Sequence, residues 1–307
     1  MVIASRLEAG RPIDDVTAFD HARQGESIMA ADRVLDRRQP LGVFDSGLGG
    51  LSVLREIRTM LPSEDVSYYA DNAYCPYGLR DPREIQERTV LISQLLLDRG
   101  AKAIVVACNT ASAMAIDHLR DAFPGIAFIG LEPAVKPAAK LTRTGKVGVL
   151  ATPRTVAGER LRWLIETHAN GVEVRTVAAT GLVELVEAGV LSGAGVTAAL
   201  RPLLDPMLEA GVDVVVLGCT HYPFLRPEIE RYVGSDVAVI DSGVAIARRT
   251  LAVLSQLGLA RQDDAVGWLR LMTSDDAATV GPIARMLMTE DAPMESVPVE
   301  IAVAERR

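Results

Sequence analysis

Two cysteines in this sequence lie where an apolar run ends and polar residues begin. Cys108 follows the run in VVACNTASA, and Cys219 follows the run in VVLGCTHYP. Backbone N–H groups and the positive end of a helix dipole at such a position can lower a thiol pKa from about 8.5 toward neutrality. A single cysteine after a strand is more often a small buried hydrophobic residue. Two cysteines at matched positions, each followed by polar residues, predict a pair of active-site thiols.

One histidine accompanies the second cysteine. His221 lies two residues after Cys219, and in a turn both side chains can face one cleft. The imidazole could act there as an acid or base, contact a substrate, or simply cap the turn. The other three histidines, His21, His118 and His168, are expected to be solvated.

A glycine-rich loop supplies a candidate anion site. Asp45 and Ser46 end a short apolar run and open the segment DSGLGG before a likely helix start. Glycines allow close backbone approach, and a helix N-terminus favours negative charge. The third glycine of a dinucleotide fingerprint is replaced by Ser52, so a small carboxylate ligand fits this loop better than a pyrophosphate.

Two further segments carry weaker signals. YYADNAYCPYGLRDP (68–82) combines turn residues with Tyr77, which suits either a ligand-lining loop or ordinary loop packing. Glu184 and Glu187 lie three residues apart on a predicted helix, where a solvated face is the simpler interpretation. The cysteines and histidines lack CxxC or HxxxH spacing, so no metal site is expected.

Length and composition allow two packed lobes to position these residues. The chain has 307 residues, of which 49% are hydrophobic and 23% charged. A net charge of −8 without a basic cluster argues against a nucleic-acid or membrane partner. Three widely spaced cysteines argue against a disulfide framework. The apolar stretches are shorter than the roughly 20 residues that span a bilayer, and no secretory signal is evident, so a cytoplasmic location is expected.

Short apolar runs alternate with amphipathic stretches from residue 41 onward, which predicts an α/β fold built on mainly parallel sheets. Runs of this kind suit strands that are buried on both faces. A helix is expected at 276–288. Strands are expected at 41–44, 66–70, 103–107, 126–129, 146–150, 172–177, 213–217, 237–240, 268–273 and 296–302.

The two halves of the chain resemble each other weakly. KVGVLATPRTV (146–156) is similar to LGVFDSGLGGL (41–51), and DVVVLGCTHYPF (213–224) is similar to KAIVVACNTASA (102–113). This predicts two pseudo-symmetric three-layer αβα lobes with the active site between them. The expected division is an N-terminal extension at 1–40, a first lobe at 41–131 plus 242–307, and a second lobe at 132–241.

Together these motifs resemble the glutamate racemases of the aspartate/glutamate racemase family. The resemblance covers about residues 41–301 and rests on GVFDSGLGGLSVLREI, YYADNAYCPYG, VVACNTASA, VLGCTHYPFL and VIDSGVAIA, in the family's order and spacing. The family usually has Thr and Arg-like residues where this chain has Asn72 and Tyr74.

The resemblance implies specific roles. Cys108 would deprotonate D-glutamate with help from Asp45, and Cys219 would deprotonate L-glutamate with help from His221. Glu187 aligns with a family glutamate near the site. The implied substrate contacts are Asp45, Ser46, Tyr77, Gly78, Asn109, Thr110, Thr220 and His221. The family further implies no cofactor, a homodimer, and a role in supplying D-glutamate for peptidoglycan, hence in cell-wall biogenesis and cell shape.

Other functions stay open at this point. The same fold could racemise aspartate or a broader range of amino acids, or it could be a non-catalytic two-lobed ligand-binding or regulatory protein. A Cys–His nucleophile acting in hydrolysis is a further alternative. Intact cysteines at both positions favour the racemase, because a binding protein needs neither thiol.

Overall fold

A computed structural model describes residues 35–288 and 290–300 of the chain. Most of the predicted extension at 1–40, including His21, therefore lies outside the described residues. Within the described ranges, no helix combines the length and apolar character needed to cross a membrane.

The first sheet has six parallel strands in the order β10-β9-β2-β1-β3-β4. They are β1 (Leu41–Asp45), β2 (Val66–Ala70), β3 (Ala103–Val106), β4 (Ala127–Gly130), β9 (Leu269–Thr273) and β10 (Met294–Ser296). Both faces of β1, β2 and β3 are fully buried, as their apolar runs predict.

The second sheet has four parallel strands in the order β6-β5-β7-β8. They are β5 (Lys146–Ala151), β6 (Glu173–Ala178), β7 (Val214–Gly218) and β8 (Ala238–Ile240). The edge strand β6 keeps several residues exposed, so the expectation of burial on both faces is wrong for this strand.

Helices cover both faces of each sheet. They are α1 (Leu51–Met60), α2 (Pro82–Asp98), α3 (Asn109–Ala122), α4 (Val135–Leu141), α5 (Pro153–Ala157), α6 (Glu159–His168), α7 (Leu182–Glu187), α8 (Ala194–Glu209), α9 (Arg226–Val233), α10 (Gly243–Gln256) and α11 (Ala277–Leu287). Helices α2 and α3 pack on one face of the first sheet, and α1 and α10 pack on the other. One apolar core continues from α1 and α10 into the α7–α9 side of the second sheet. The predicted three-layer α/β architecture is confirmed.

The last predicted strand is misplaced. The chain forms β10 at Met294–Ser296, whereas the apolar residues after 296 that suggested a strand at 296–302 are not in a strand as far as residue 300. β10 pairs only with β9 at the sheet edge and is largely exposed, so its sequence lacks the apolar pattern of a buried strand.

The two sheets repeat one arrangement. β2-β1-β3-β4 in the first sheet has the same order as β6-β5-β7-β8 in the second. Gly42 pairs with Ile104, and Gly148 pairs with Val215, so β1 and β3 share their register with β5 and β7. The sequence similarity between the halves therefore reflects a structural repeat. Cys108 and Cys219 lie at equivalent positions just after β3 and β7, four residues beyond Ile104 and Val215. The sheets use residues 41–130 with 269–296 and residues 146–240, and the exact lobe boundaries stay a prediction.

Candidate active site

Cys108 caps helix α3 at the end of β3. Its side chain is 5% exposed, and its Sγ accepts a hydrogen bond from the Ala111 N–H at 3.4 Å. The Sγ also lies 3.7 Å from the Ser46 hydroxyl. Burial nevertheless raises the pKa of this thiol well above its usual value, and the negative charge of Asp45 adds to the effect. The expected lowering of the pKa is wrong for Cys108, because desolvation outweighs the backbone N–H.

Cys219 occupies the equivalent position after β7 and is 6% exposed. Its Sγ lies 3.6 Å from Nδ1 of His221. A 3₁₀ turn at Tyr222–Leu225 separates Cys219 from α9. The expected helix start directly after this cysteine is therefore wrong, and the imidazole is its polar neighbour instead of a helix N-terminus.

Both thiols line one cleft between the two sheets, with a volume of about 250 Å³ including space open to solvent. The residues that line it are Ser46, Pro76, Tyr77, Gly78, Cys108, Asn109, Thr110, Thr152, Val183, Cys219, Thr220 and His221. All of the substrate contacts implied by the resemblance line this cleft except Asp45. Glu187, implied to lie near the site, is not among the lining residues either.

Asp45 is fully buried at the end of β1. Its carboxylate accepts hydrogen bonds from the Ser46 N–H at 2.7 Å, the Gly50 N–H at 2.5 Å and the Thr220 hydroxyl at 3.2 Å. Burial raises the pKa of Asp45 above its usual value, although the charge of His221 and a hydrogen bond from Cys108 oppose the rise. Asp45 therefore connects the surroundings of both cysteines.

Glu187 is the last residue of helix α7 and contacts the ring nitrogen of His221 that does not face Cys219. Its Oε1 lies 2.6 Å from His221 Nε2 and accepts from the Leu48 N–H at 2.7 Å, while its Oε2 accepts from the Asn72 amide at 2.7 Å. Glu184, one turn earlier, is exposed. The solvated-face interpretation holds for Glu184 and is wrong for Glu187.

The protonation of His221 follows from these neighbours. The side chain is 2% exposed, and burial disfavours the charged ring. Hydrogen bonds to Cys219, Cys75 and Glu187 outweigh burial and raise the pKa of this imidazole well above its usual value. A protonated ring carries an N–H on both nitrogens. One N–H then points to Cys219 Sγ, where it stabilises negative charge, and the other is held by the carboxylate.

Two glycines make this arrangement possible. A Cβ at position 49 would lie 2.2 Å from His221 Nδ1, and a Cβ at position 47 would lie 2.2 Å from Glu187 Oε1. Both are far shorter than real contacts. Gly47 and Gly49 therefore allow the Glu187 and His221 side chains to approach the loop closely, whereas the carboxylate ligand expected at DSGLGG stays a prediction.

The loop after β2 is fixed by a buried ionic network. The Tyr77 hydroxyl donates to Asp71 at 2.5 Å, and Arg88 contacts the same carboxylate through two guanidinium nitrogens at 2.9 and 2.5 Å. The Arg88 and Asp71 side chains have no exposed surface. Tyr74 stacks under Arg88 and does not line the cleft, whereas Asn72 reaches the site through Glu187.

Hydroxyl groups form the remaining polar wall. Thr110 Oγ1 lies 2.9 Å from Thr152 Oγ1 and 3.3 Å from Thr155 Oγ1. The buried Oδ1 of Asn109, which lines the cleft, has no hydrogen-bond partner among the described residues. Sequence reasoning missed Thr152 and Thr155. Aligning Gly148 with Gly42 places Thr152 opposite Ser46, so the internal repeat already contained a signal for Thr152.

The other two histidines in the described ranges lie outside this site. His118 is exposed, and His168 packs edge-on against Trp163. A third thiol does reach the site: ligand atoms of Cys75, Glu187 and His221 lie within 4.8 Å of one another, an arrangement able to hold a metal ion.

The sequence pattern of the Asp/Glu/Hydantoin racemase family matches residues 41–250. A glutamate racemase of Herpetosiphon aurantiacus is 48% identical over 82% of this chain and 99% of its own length. A glutamate racemase of Deinococcus radiodurans is 48% identical over 84% of this chain and 90% of its own.

Solved structures agree with these relatives. Glutamate racemase from Francisella tularensis, in complex with D-glutamate, superposes with a TM-score of 0.75 at 29% identity, covering 86% of this chain and 99% of that one. Escherichia coli glutamate racemase, in complex with L-glutamate and an activator, gives a TM-score of 0.75 at 35% identity, covering 85% and 99%. The chain belongs to the Asp/Glu/Hydantoin racemase family.

Proposed function

We propose that this protein is a glutamate racemase that interconverts L- and D-glutamate with two cysteine thiols and no cofactor. One observation carries the proposal: Cys108 and Cys219 follow equivalent strands of two separate sheets and line the same cleft. Inverting a stereocentre by proton transfer needs one group on each face of Cα. Relatives of 48% identity that are named glutamate racemases support the choice of substrate.

Each turnover moves two protons. A Cys219 thiolate, stabilised by the His221 N–H, takes the Cα proton of L-glutamate. The Cys108 thiol then donates its proton to the opposite face, leaving Cys219 as the thiol and Cys108 as the thiolate. The raised pKa of Cys108 suits it to hold a proton before reaction with L-glutamate. Reaction of D-glutamate runs the same steps in reverse.

Polar groups around the thiols are suited to binding two carboxylates. The side chains of Ser46, Asn109 and Thr220 line the cleft, and Thr110 and Thr152 add a hydroxyl pair. Donors fixed before reaction stabilise charge that spreads from Cα into the α-carboxylate. The free Oδ1 of Asn109 matches an ammonium group of the substrate.

Burial of the site favours this chemistry and requires motion. A thiolate takes a weakly acidic Cα proton more readily where water is excluded, and both thiols are at most 6% exposed. The lobes at 41–131 plus 242–307 and at 132–241 therefore open to admit substrate and close again. The wider assignment is a cytoplasmic homodimer that supplies D-glutamate for peptidoglycan.

Circular dichroism tests the proposal directly. The purified chain is incubated with each enantiomer of glutamate and of aspartate, without pyridoxal phosphate. Interconversion of glutamate, its loss in Cys108→Ala and Cys219→Ala, and its retention in Cys75→Ala are the expected results. Faster interconversion of aspartate than of glutamate would instead identify the protein as an aspartate racemase. No turnover of either amino acid, with binding retained, would identify a binding protein.

A further inference from the structure

Three donor side chains from different parts of the chain converge beside the cleft. Cys75 follows the 3₁₀ turn Asn72–Tyr74 on the first sheet, whereas Glu187 ends α7 and His221 follows β7 on the second sheet. Ligand atoms of all three lie within 4.8 Å of one another. Racemisation by Cys108 and Cys219 uses no proton transfer by Cys75, so this thiol is available for another role.

The backbone leaves room for this cluster. A Cβ on Gly47 would lie 2.9 Å from Cys75 Sγ as well as 2.2 Å from Glu187 Oε1. The missing side chain thus lets the thiol and the carboxylate approach on the same side of the loop. Cys75 is half-buried and the Glu187 side chain is 18% exposed, so a small ion can reach the donors.

The donor set has the chemistry of a zinc site. Thiolate, imidazole and carboxylate are the three ligand types that Zn²⁺ takes from proteins, at bond lengths of about 2.0–2.3 Å. Tetrahedral coordination then places ligand atoms roughly 3.3–3.8 Å apart. The cluster's spread of up to 4.8 Å is close to this, and the 2.6 Å contact between Glu187 and His221 widens by about 1 Å as the ion replaces the shared proton.

We propose that Cys75, Glu187 and His221 bind Zn²⁺ reversibly and that the bound ion inhibits the enzyme. The inhibition rests on the proposed racemisation, whereas the binding does not. Because Cys75 belongs to the first sheet and the other two ligands to the second, the ion clamps the two walls of the cleft together. It also engages the imidazole that otherwise supports Cys219. Substrate entry and proton transfer are both blocked.

Cobalt spectroscopy on the full chain tests the binding. The metal-free protein is titrated with Co²⁺, which reports a bound thiolate by a charge-transfer band in the near ultraviolet. We expect the band in the wild type and in Cys108→Ser, which removes a cleft thiol outside the cluster, and its absence in Cys75→Ser. Glu187→Gln should keep the band and weaken Zn²⁺ binding, because a neutral amide replaces the anionic carboxylate ligand.

The two cysteine variants distinguish metal binding at Cys75 from metal binding at the catalytic thiols. A band that persists in Cys75→Ser, or that disappears in Cys108→Ser, overturns the assignment and places the metal on the catalytic thiols. Circular dichroism in the far ultraviolet checks that each variant is folded. Zn²⁺ should inhibit racemisation by the wild type and leave Cys75→Ser active at the same concentration. If the metal-free wild type does not racemise glutamate, the cobalt titration still shows whether Cys75 binds the metal. Failure of the proposed function is therefore distinguishable from failure of the metal site.

Discussion

Nε2 of His221 lies 2.6 Å from Oε1 of Glu187, while the opposite ring nitrogen faces the thiol of Cys219 at 3.6 Å. The carboxylate therefore orients the imidazole and favours its protonated form, although it does not line the cleft itself. This Glu187–His221–Cys219 relay gives Glu187 a positioning role at Cys219. Among the described residues, Cys108 has no equivalent imidazole neighbour, and Ser46 and Asp45 lie beside it instead.

Replacing Glu187 by glutamine should slow racemisation by roughly 10–100-fold, since a charge-assisted hydrogen bond contributes about 1.5–3 kcal/mol. The carboxylate helps to raise the pKa of His221, so its loss lowers that pKa. The imidazolium then deprotonates at lower pH, and the basic limb of the kcat profile moves to lower pH. Glu184→Gln on the same helix is the control. An unchanged pH profile in Glu187→Gln would contradict the relay.

A methyl group at position 49 should disable the site. In Gly49→Ala the Cβ would lie 2.2 Å from His221 Nδ1, so the ring must move away from Cys219. Displacing a catalytic group by about 1 Å can cost roughly 100-fold in rate. Gly195→Ala makes the same chemical change on α8, where no atom lies within 4 Å, and should leave activity intact. Equal activities of the two variants would show that the ring does not need its present position.

The Arg88–Asp71 pair should matter for stability far more than an exposed pair. Arg88→Ala leaves the Asp71 carboxylate buried without its partner, and breaking such a pair costs about 3–5 kcal/mol. Arg231→Ala removes a 61% exposed partner of Glu228 and should cost less than about 1 kcal/mol. Urea unfolding measures both. Similar midpoints for the two variants would be inconsistent with a structural role for the buried pair.

Asp45→Asn should lower activity and remove one source of pH dependence in stability. Burial raises the pKa of Asp45 in the folded state, so its contribution to folding is full at acid pH and declines as pH rises through that pKa. The wild type should therefore lose stability relative to Asp45→Asn as pH rises above about 4, the usual pKa of an aspartate, and the variant should be less active. Urea midpoints across this range check the sign. If Asp45→Asn instead loses stability relative to the wild type as pH rises, the folded protein stabilises the ionised carboxylate.

The buried strands could be predicted closely from the sequence. β2 is found at the predicted bounds, and β1, β3 and β5 differ by one residue at one end, because strands buried on both faces are mostly apolar. β10 could not be predicted, because an exposed edge strand such as Met294–Ser296 lacks that pattern. Edge strands depend on the neighbour they pair with, which the local sequence does not encode.

The part of the site that follows from the internal repeat of the two halves could be predicted from the sequence. Cys108 and Cys219 occupy matched positions in both halves, so their convergence follows from topology. The raised pKa of Cys108 was not predictable, since it depends on burial by residues distant in the chain. The contact of His221 with Glu187 likewise joins β7 to α7 and has no signature in either segment alone.

The central claim is that Cys108 and Cys219 transfer protons on opposite faces of the substrate. The most direct measurement follows Cα hydrogen in D₂O, starting from pure L-glutamate and from pure D-glutamate, at low conversion. Since the proton given to the product comes from a thiol in exchange with solvent, the product should carry deuterium in both directions while unreacted substrate keeps protium. Product that retains the original Cα proton would mean that one base carries it across, and the two-thiol account would then be wrong.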